Sequence, residues 1–405
     1  MSYNYISNLG KYFRLSKSPP IFIEGQNEIL IDNNNNKYLD FACGSGTTVV
    51  GHNNKYITEN LKKIFNKGFF HSGPHFLTNY HIEYIKKLKK FLNNDFSLFN
   101  LATNGSEASE TALKLSFHHS NRNKIIYFDG SYHGRTGYSL SSSGMKGINK
   151  YFFKNKNFIC CKFNNIDDFK NKFYKHKDDL AAVIIEPIQG TSGFVYSEKN
   201  FLKEVRKITS QNSKLLIFDE VWTGFGKTGY DFAYNYYKIT PDILILGKSL
   251  GNGFPLGIVA FSKKVKHNFP GAQSSTFQGN IISINSSLIF MKYLEKIDYL
   301  SKIKKIEKIM SYETNNLKKF KFVKEIRGIG FMWGIEINNN YFSKKDFTNT
   351  IRSKLLKNKL ITWESGSDSN VICLVPPITI SISSIKSAFK IINKTFNDID
   401  KKFMK

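Results

Sequence analysis

The sequence predicts an α/β protein built on a mainly parallel sheet, followed by a smaller α+β domain. Apolar runs in the middle of the chain are continuous rather than alternating, as in strands that are covered on both faces. These runs are Lys124–Asp129, Ala181–Glu186, Lys214–Asp219 and Asp242–Leu246. Helical patterns lie between several of them, at Ser106–Ser116 and Glu198–Ser210. This alternation is typical of parallel strands joined by helical crossovers.

The C-terminal part of the chain follows a different pattern, in which long lysine-rich helices flank short strands. The predicted helices are Ile303–Lys319 and Ser384–Lys401, and the predicted strands are Phe331–Ile335 and Val371–Val375. We therefore predict a large α/β domain at residues 45–285 and a small α+β domain at 286–405. Residues 1–44 are expected to contribute to the small domain.

The 405-residue chain carries 59 basic and 32 acidic residues, a net charge of +27. Lysines are spread over helices and loops alike, so the charge reflects overall composition, and nucleic-acid binding is an alternative that rests on charge alone. No apolar run approaches the roughly 20 residues of a membrane span, and Met1–Pro20 does not resemble a secretory signal. The four cysteines show no metal-binding spacing. A reduced, cytoplasmic protein without a metal site is expected.

Polar residues and glycines follow the ends of the predicted central strands. The runs finish in Asp129-Gly130, Glu186-Pro187, Asp219-Glu220 and Gly247-Lys248. Ligands of open α/β sheets bind at the carboxyl ends of the strands. The sequence therefore predicts a binding site at this edge.

Two of the candidate site features concern anions and carboxylates. Asn104-Gly105-Ser106 opens a helix whose free N–H groups could cradle a phosphate, although a plain N-capped helix fits the same residues. Asp219 closes an apolar strand and needs a partner, which could be an arginine, a metal or a protonated ring nitrogen.

Two further features concern an amine and an aromatic ring. Lys248 follows a buried strand, where desolvation could turn it into a nucleophilic amine, although a surface lysine is the alternative. In Tyr132-His133-Gly134-Arg135, the tyrosine could stack on a planar cofactor and the arginine could bind a carboxylate. A core aromatic and a surface arginine would fit equally well.

Together these four features match the requirements of pyridoxal phosphate: a phosphate site, a carboxylate for the ring nitrogen, a Schiff-base lysine and a ring contact. The sequence also resembles the class III aminotransferases over nearly its whole length, from Lys37-Tyr38-Leu39-Asp40-Phe41 to Pro376-Pro377. The most specific stretches are Glu186-Pro187-Ile188-Gln189-Gly190, Phe218–Gly229 and Gly247–Pro255. The resemblance implies a fold type I pyridoxal-phosphate enzyme with a seven-stranded, mainly parallel sheet.

The resemblance also implies roles for individual residues. Lys248 corresponds to the Schiff-base lysine and proton shuttle, and Asp219 to the partner of the pyridinium nitrogen. Val221 and Tyr132 correspond to residues on the two faces of the ring. The remaining cofactor-binding positions are Gly105, Ser106, His133 and Thr276, the last of which would reach the phosphate of a neighbouring subunit. A homodimer with interfacial sites follows from this role.

Departures from the family pattern bear on the substrate. A glutamate and an arginine that recognise glutamate in many members are replaced by Thr191 and Cys373, so both partners of one ion pair are missing together. Arg135 matches the arginine that holds a distal carboxylate, and Glu186 is also placed among the substrate-binding residues. Trp222 replaces a glutamine that contacts the cofactor hydroxyl. Ser45 stands where bulkier residues often line the pocket.

The function implied is an aminotransferase that acts between an amine or ω-amino compound and a keto acid or aldehyde. An aminomutase of the glutamate-1-semialdehyde type is the alternative, since that type also lacks the arginine switch.

Overall fold

A computed structural model describes residues 19–150, 152, 155–267, 271–338 and 344–403. Residues 1–18 of the predicted N-terminal segment lie outside the described residues. The strands are β1 Phe22–Gln26, β2 Ile29–Asp32, β3 Lys37–Asp40, β4 Leu98–Ala102, β5 Lys124–Phe128, β6 Phe158–Cys161, β7 Leu180–Ile185, β8 Ile188–Gln189, β9 Val195–Tyr196, β10 Leu215–Asp219, β11 Ile243–Leu246, β12 Gly257–Phe261, β13 Val323–Ile329, β14 Met332–Ile337, β15 Leu360–Ile361, β16 Trp363–Ser365 and β17 Val371–Leu374.

The helices follow the same chain order, with single 3₁₀ turns at Lys248–Gly251 and Asn316–Lys319. They are α1 Cys43–Gly46, α2 Lys55–Phe65, α3 Asn79–Phe91, α4 Gly105–Ser120, α5 Gly137–Ser141, α6 Ile166–His176, α7 Lys199–Gln211, α8 Ala233–Tyr237, α9 Ile281–Lys296, α10 Tyr299–Asn315, α11 Lys344–Lys357 and α12 Ile382–Phe403. The segment α1 is a single turn whose four residues all have positive φ. Left-handed backbone is costly for residues other than glycine, so this turn is held by its surroundings.

The central sheet has seven strands in the order β4-β12-β11-β10-β7-β5-β6, and only β12 runs antiparallel to its neighbours. Its inner strands are buried on both faces. In β10, Leu215 and Ile217 join the apolar cluster beneath α4, whereas Leu216 and Phe218 join the larger cluster on the opposite face. This arrangement confirms the α/β prediction and explains why the apolar runs do not alternate.

Two four-stranded sheets lie outside this central layer. One has the order β13-β14-β17-β16, and the other the order β1-β2-β3-β15. In the latter, β3 pairs in parallel with β15, so Leu39 lies beside Leu360 and the N-terminal strands join a C-terminal one. The predicted domain boundary at 285/286 falls within α9, and the domain limits stay a prediction. Within the described residues, no helix has the length and apolar character to cross a membrane.

Candidate active site

Glu186, Asp219 and Lys248 meet at one edge of the central sheet because they end, or follow, three adjacent parallel strands. Phe218 of β10 is paired with Ile185 of β7, and Asp219 is paired with Ile245 of β11. A cavity of about 410 Å³ opens at this edge, and all three side chains line it. This volume lies in the range of small-molecule sites.

The Asp219 carboxylate is buried at the end of β10 and is oriented by two hydrogen bonds. His133 Nδ1 donates to Oδ2 at 2.7 Å, and the backbone N–H of Val221 donates to Oδ1 at 3.0 Å. The His133 loop is itself fixed, since its backbone N–H donates to Ser143 Oγ at 2.9 Å. The imidazole therefore carries its proton on Nδ1, and the carboxylate remains an acceptor.

Lys248 follows β11 with a left-handed backbone (φ 45°), and its side chain points into the cavity. Among the described residues, its amine makes no hydrogen bond or ion pair, and its close contact is the Trp222 ring. Burial lowers the pKa of Lys248 to about 8, while the charges of Asp219 and Glu186 act in the opposite direction. With this pKa, about a tenth of the amine is unprotonated at pH 7 and about half at pH 8.

Glu186 ties the loop after β5 to the end of β7. Its buried carboxylate accepts hydrogen bonds from the backbone N–H of Tyr132 at 2.8 Å and of Gly190 at 3.0 Å. Burial, and next the charge of Asp219, raise the pKa of Glu186 to about 7. The same bonds place the Tyr132 ring at the wall of the cavity.

The start of α4 faces the cavity with free donors. Asn104 caps the helix by accepting a hydrogen bond from the backbone N–H of Glu107 at 3.0 Å. The N–H groups of Gly105 and Ser106 have no partner among the described residues and line the cavity. A Cβ on Gly105 would lie 3.1 Å from a methyl of Val221, so glycine permits this close approach. The geometry is that of an anion cradle.

Three of the predicted site residues do not line the cavity. Arg135 is exposed, with its guanidinium 6.0 Å from the Tyr132 ring centroid. Ser45 is exposed in the left-handed turn α1, near Thr47, which does line the cavity. Thr276 lies in the 271–280 loop, where its carbonyl is bonded to His71 Nε2 at 2.7 Å.

Thr191 and Cys373, the two positions that depart from the family's ion pair, are joined through the neutral side chain of Ser365. Ser365 Oγ donates to the carbonyl of Thr191 at 2.6 Å. Cys373 is fully buried in β17, and burial raises the pKa of its thiol to about 12, while a hydrogen bond with Ser365 acts in the opposite direction. No charge occupies either position, so neither side chain is a cationic partner for a substrate carboxylate.

Three features of the site lie beyond sequence reasoning. The pairing of His133 with Asp219 joins residues from different loops, and Trp222 stacks on Trp363 with ring centroids 4.8 Å apart. The side chain of Lys227 is fully buried, and its amine has no hydrogen-bond partner among the described residues. None of these contacts has a local sequence signal, although the departure at Trp222 marked that position as unusual.

The residues present fit pyridoxal phosphate. Gly105 and Ser106 could hold a phosphate, Asp219 could pair with a protonated ring nitrogen, and the Lys248 amine could attack an aldehyde. The described residues contain no cluster of three or more His, Cys, Asp or Glu that could hold a metal ion. Fold and site together define a pyridoxal-phosphate-dependent transferase of fold type I.

Comparison with known proteins agrees with this class. The family model "Aminotransferase class-III" matches residues 14–396, so the chain belongs to the class III aminotransferases. It is 31% identical to an acetylornithine aminotransferase of Clostridium acetobutylicum, with 98% of this chain and all of that protein covered. It is 30% identical to a glutamate-1-semialdehyde 2,1-aminomutase of Wigglesworthia glossinidia brevipalpis, with 89% and 94% covered.

Among solved structures, the acetylornithine aminotransferase from Elizabethkingia anophelis superposes with a TM-score of 0.84 at 25% identity, with 98% of each chain covered. The protein is therefore an aminotransferase, and its cofactor is pyridoxal phosphate.

Proposed function

We propose that this aminotransferase moves an amino group between an amine or ω-amino compound and a keto acid or aldehyde, with Lys248 as its catalytic amine. The observation that carries the proposal is the meeting of a desolvated amine, an oriented carboxylate and an anion cradle in one cavity. The cofactor, when bound, supplies an electrophilic aldehyde carbon and a ring that accepts electrons.

Each protein group has one task in this proposal. The N–H groups of Gly105 and Ser106 would hold the phosphate, and Val221 and Tyr132 would lie against the ring. Asp219, held in place by His133, would keep a proton on the ring nitrogen, because an adjacent carboxylate favours the charged form. Lys248 Nζ then takes the proton from the substrate carbon and returns it one atom away, as a base whose pKa is near the working pH can do.

The donor preference follows from the neutral pair of positions at Thr191 and Cys373. A substrate α-carboxylate would find no cationic side chain at either position, and a buried unpaired charge is costly. We therefore propose donors whose reacting amine carries no α-carboxylate. Arg135 could bind a distal carboxylate if the Tyr132 loop closed over the substrate.

We further propose a homodimer. The exposed large apolar residues include a cluster on the segment before α3 and on the 271–280 loop: Phe69, Phe70, Phe76, Leu77 and Phe277. Monomeric surfaces rarely carry apolar patches of this kind. Thr276 lies in the same loop, so a second copy packed on this patch would bring that residue toward its partner's cavity. A cytoplasmic location is proposed as well, which the four free cysteines support.

Trapping tests the role of Lys248. Purified protein is supplied with pyridoxal phosphate, reduced with borohydride and digested, and the labelled peptide is expected to contain residue 248. Lys248→Ala should fold, bind the cofactor without covalent attachment and show no turnover. A labelled peptide from another part of the chain, or activity in the variant, would reject the assignment.

A matched substrate pair tests the donor preference. Conversion of the bound cofactor to its amine form is followed by absorbance with 4-aminobutyrate or putrescine, and with glutamate as the α-amino acid. We expect conversion with a donor that lacks an α-carboxylate and little with glutamate. Faster conversion with glutamate would contradict the argument from Thr191 and Cys373.

An aminomutase is the second candidate, favoured by the similarity to the glutamate-1-semialdehyde aminomutase and by the neutral pair of positions. A mutase needs no second substrate. Sustained turnover of glutamate-1-semialdehyde alone would support it, whereas turnover that stops after one equivalent until a keto acid or aldehyde is added supports transfer.

A further inference from the structure

The Trp222 indole is fixed in a slot beside the cavity. Its side chain is almost fully buried between two glycines. A Cβ on Gly190 would lie 2.3 Å from its Cδ1, and one on Gly46 would lie 2.5 Å from its Cζ3. Trp363 stacks on the ring at 4.8 Å with an interplanar angle of 31°. The orientation of the ring is therefore set by contacts from several segments of the chain.

Two lysine amines lie over this ring. Lys248 Nζ is 4.4 Å from the ring centroid, and Lys227 Nζ is 5.2 Å from it. Both distances are within the range of cation–π contacts. The Lys227 amine has no hydrogen-bond partner in the described part of the chain. The Lys248 amine makes no hydrogen bond or ion pair there, and the indole is its close neighbour.

We propose that Trp222 is a positioning residue that holds the Lys248 amine over its indole face and favours the ammonium form of that lysine. Lys227 lies over the same ring, and burial lowers the pKa of its amine. The inference concerns the cofactor-free protein, and its consequence for catalysis rests on the role proposed above for Lys248.

The charged and titratable groups around the two amines come from the ends of neighbouring strands and from α1. Asp219 and Glu186 face Lys248 from the ends of β10 and β7, and His133 is bonded to Asp219. Lys227 faces Lys248 and the buried thiol of Cys43. Burial, and next the charge of Lys248, hold the pKa of Lys227 well below its ordinary value.

The contact with Trp222 matters because Lys248 must be both free to move and well placed. A hydrogen bond to a fixed carboxylate would hold the amine in one direction. The indole face attracts the ammonium form without a fixed direction, and its attraction opposes the desolvation that lowers the pKa of Lys248. The amine can thus swing between atoms while it remains above the ring.

Tryptophan emission gives the test in the protein without cofactor. The chain has three tryptophans, and Trp333→Phe removes the one that is not stacked with Trp222. In this background we expect the emission to titrate with a midpoint near 8, the pKa of Lys248. The titration should vanish in Lys248→Met and should keep its midpoint in Lys227→Met. A titration that persists in Lys248→Met, or one that is lost only in Lys227→Met, would overturn the proposal.

A second measurement compares aromatic and aliphatic replacements. The rate at which added pyridoxal phosphate is captured is followed by absorbance across pH, because capture requires the free amine. Trp222→Leu should lower the midpoint by about one pH unit, and Trp222→Phe by less, since cation–π contacts amount to about 0.5–2 kcal/mol. If the wild type, Trp222→Leu and Trp222→Phe show the same pH midpoint of cofactor capture, the proposal is overturned.

The aromatic variant retains a ring in the slot and guards against a folding defect in the leucine variant. These results are separable from the main function. If trapping failed to label residue 248, the proposed function would fall, while the emission titration would still report the Trp222–Lys248 contact.

Discussion

Asp219 and Lys248 face the same cavity but are prepared for their tasks in different ways. Asp219 is held by two donors, a backbone N–H and the His133 ring. Lys248 is held by no hydrogen bond in the described chain, and burial brings its pKa to about 8. A fixed acceptor and a movable amine are what a proton transfer between two neighbouring atoms requires.

Replacing Asp219 tests the fixed acceptor. Asp219→Asn removes the negative charge with little change in shape, so we expect weaker cofactor binding and a turnover number lower by at least about 100-fold. Both are measured by cofactor titration and steady-state kinetics. An unchanged rate would refute the role of the charge.

Asp242 offers the matched control, because it is a buried aspartate at the opposite end of the sheet, where it accepts from Leu216 N–H and Arg206. Asp242→Asn should lower stability without changing the cofactor spectrum.

The pH dependence of cofactor capture tests the amine. Burial favours the neutral form of Lys248, and only that form attacks an aldehyde. We expect the capture rate to rise with pH and to level off above about 8, the pKa of Lys248. Stopped-flow absorbance measures it. A rate that continues to rise to pH 10 would show that the amine is not desolvated.

At the scale of elements, the two acids of the strand-end motif Asp219-Glu220 point in different directions, Asp219 into the cavity and Glu220 toward the start of α8. Glu220 points away from the cavity and accepts hydrogen bonds from the backbone N–H groups of Ala233 and Tyr234, at the start of α8. Burial raises the pKa of Glu220 to about 7, while these bonds act in the opposite direction. Neighbouring carboxylates therefore differ in role because successive strand residues face opposite sides of the sheet.

Removing this cap should cost stability rather than chemistry. Glu220→Ala leaves buried N–H groups without an acceptor, and we expect the free energy of unfolding to fall by about 3 kcal/mol. Urea denaturation measures the loss. Glu110 caps α5 in the same manner but is half-buried, so Glu110→Ala should lose about 1 kcal/mol. Equal losses of unfolding free energy in the two variants would contradict the argument that burial sets the strength of the cap.

The raised pKa of Glu220 predicts that the free energy of unfolding changes with pH. The pKa of Glu220 is higher in the folded protein than in the unfolded chain, so the folded state binds more protons between pH 4.5 and about 7. Stability from this group is complete below 4.5 and is lost as the pH rises through 7. Glu220→Ala should flatten this part of the profile, and an unchanged slope would refute the assignment.

At the scale of the whole molecule, the exposed apolar cluster predicts association. Leu77 is 82% exposed, and Leu77→Asp should weaken self-association by at least about 100-fold and reduce activity with it, since we propose that Thr276 acts across the interface. Sedimentation velocity and kinetics measure the two effects. Tyr312, 69% exposed on α10, is the control, and Tyr312→Asp should change neither. If Leu77→Asp leaves the dimer unchanged, the dimer interface does not include the exposed apolar cluster around Leu77.

The whole molecule also shows what sequence can and cannot predict. The strands, and the position of Lys248 at their carboxyl edge, were predictable because apolar runs and their polar ends are local patterns. The His133–Asp219 bond and the Trp222–Trp363 stack join distant segments, and side-chain packing across such distances leaves no periodic signal. Lys227 lies in the family-specific stretch Phe218–Gly229, which carries no local signal for its burial near Cys43 of α1.

The pairing of β3 with β15 has a consequence for how the enzyme matures. The left-handed turn α1 follows β3 after only two residues and supplies Gly46 to the wall behind Trp222, while β3 is completed by Leu360. During synthesis on the ribosome, β3 cannot pair with β15 until most of the chain has emerged. Long-range pairing of this kind is slow to form. The nascent chain thus acquires a finished coenzyme pocket only after translation is nearly complete.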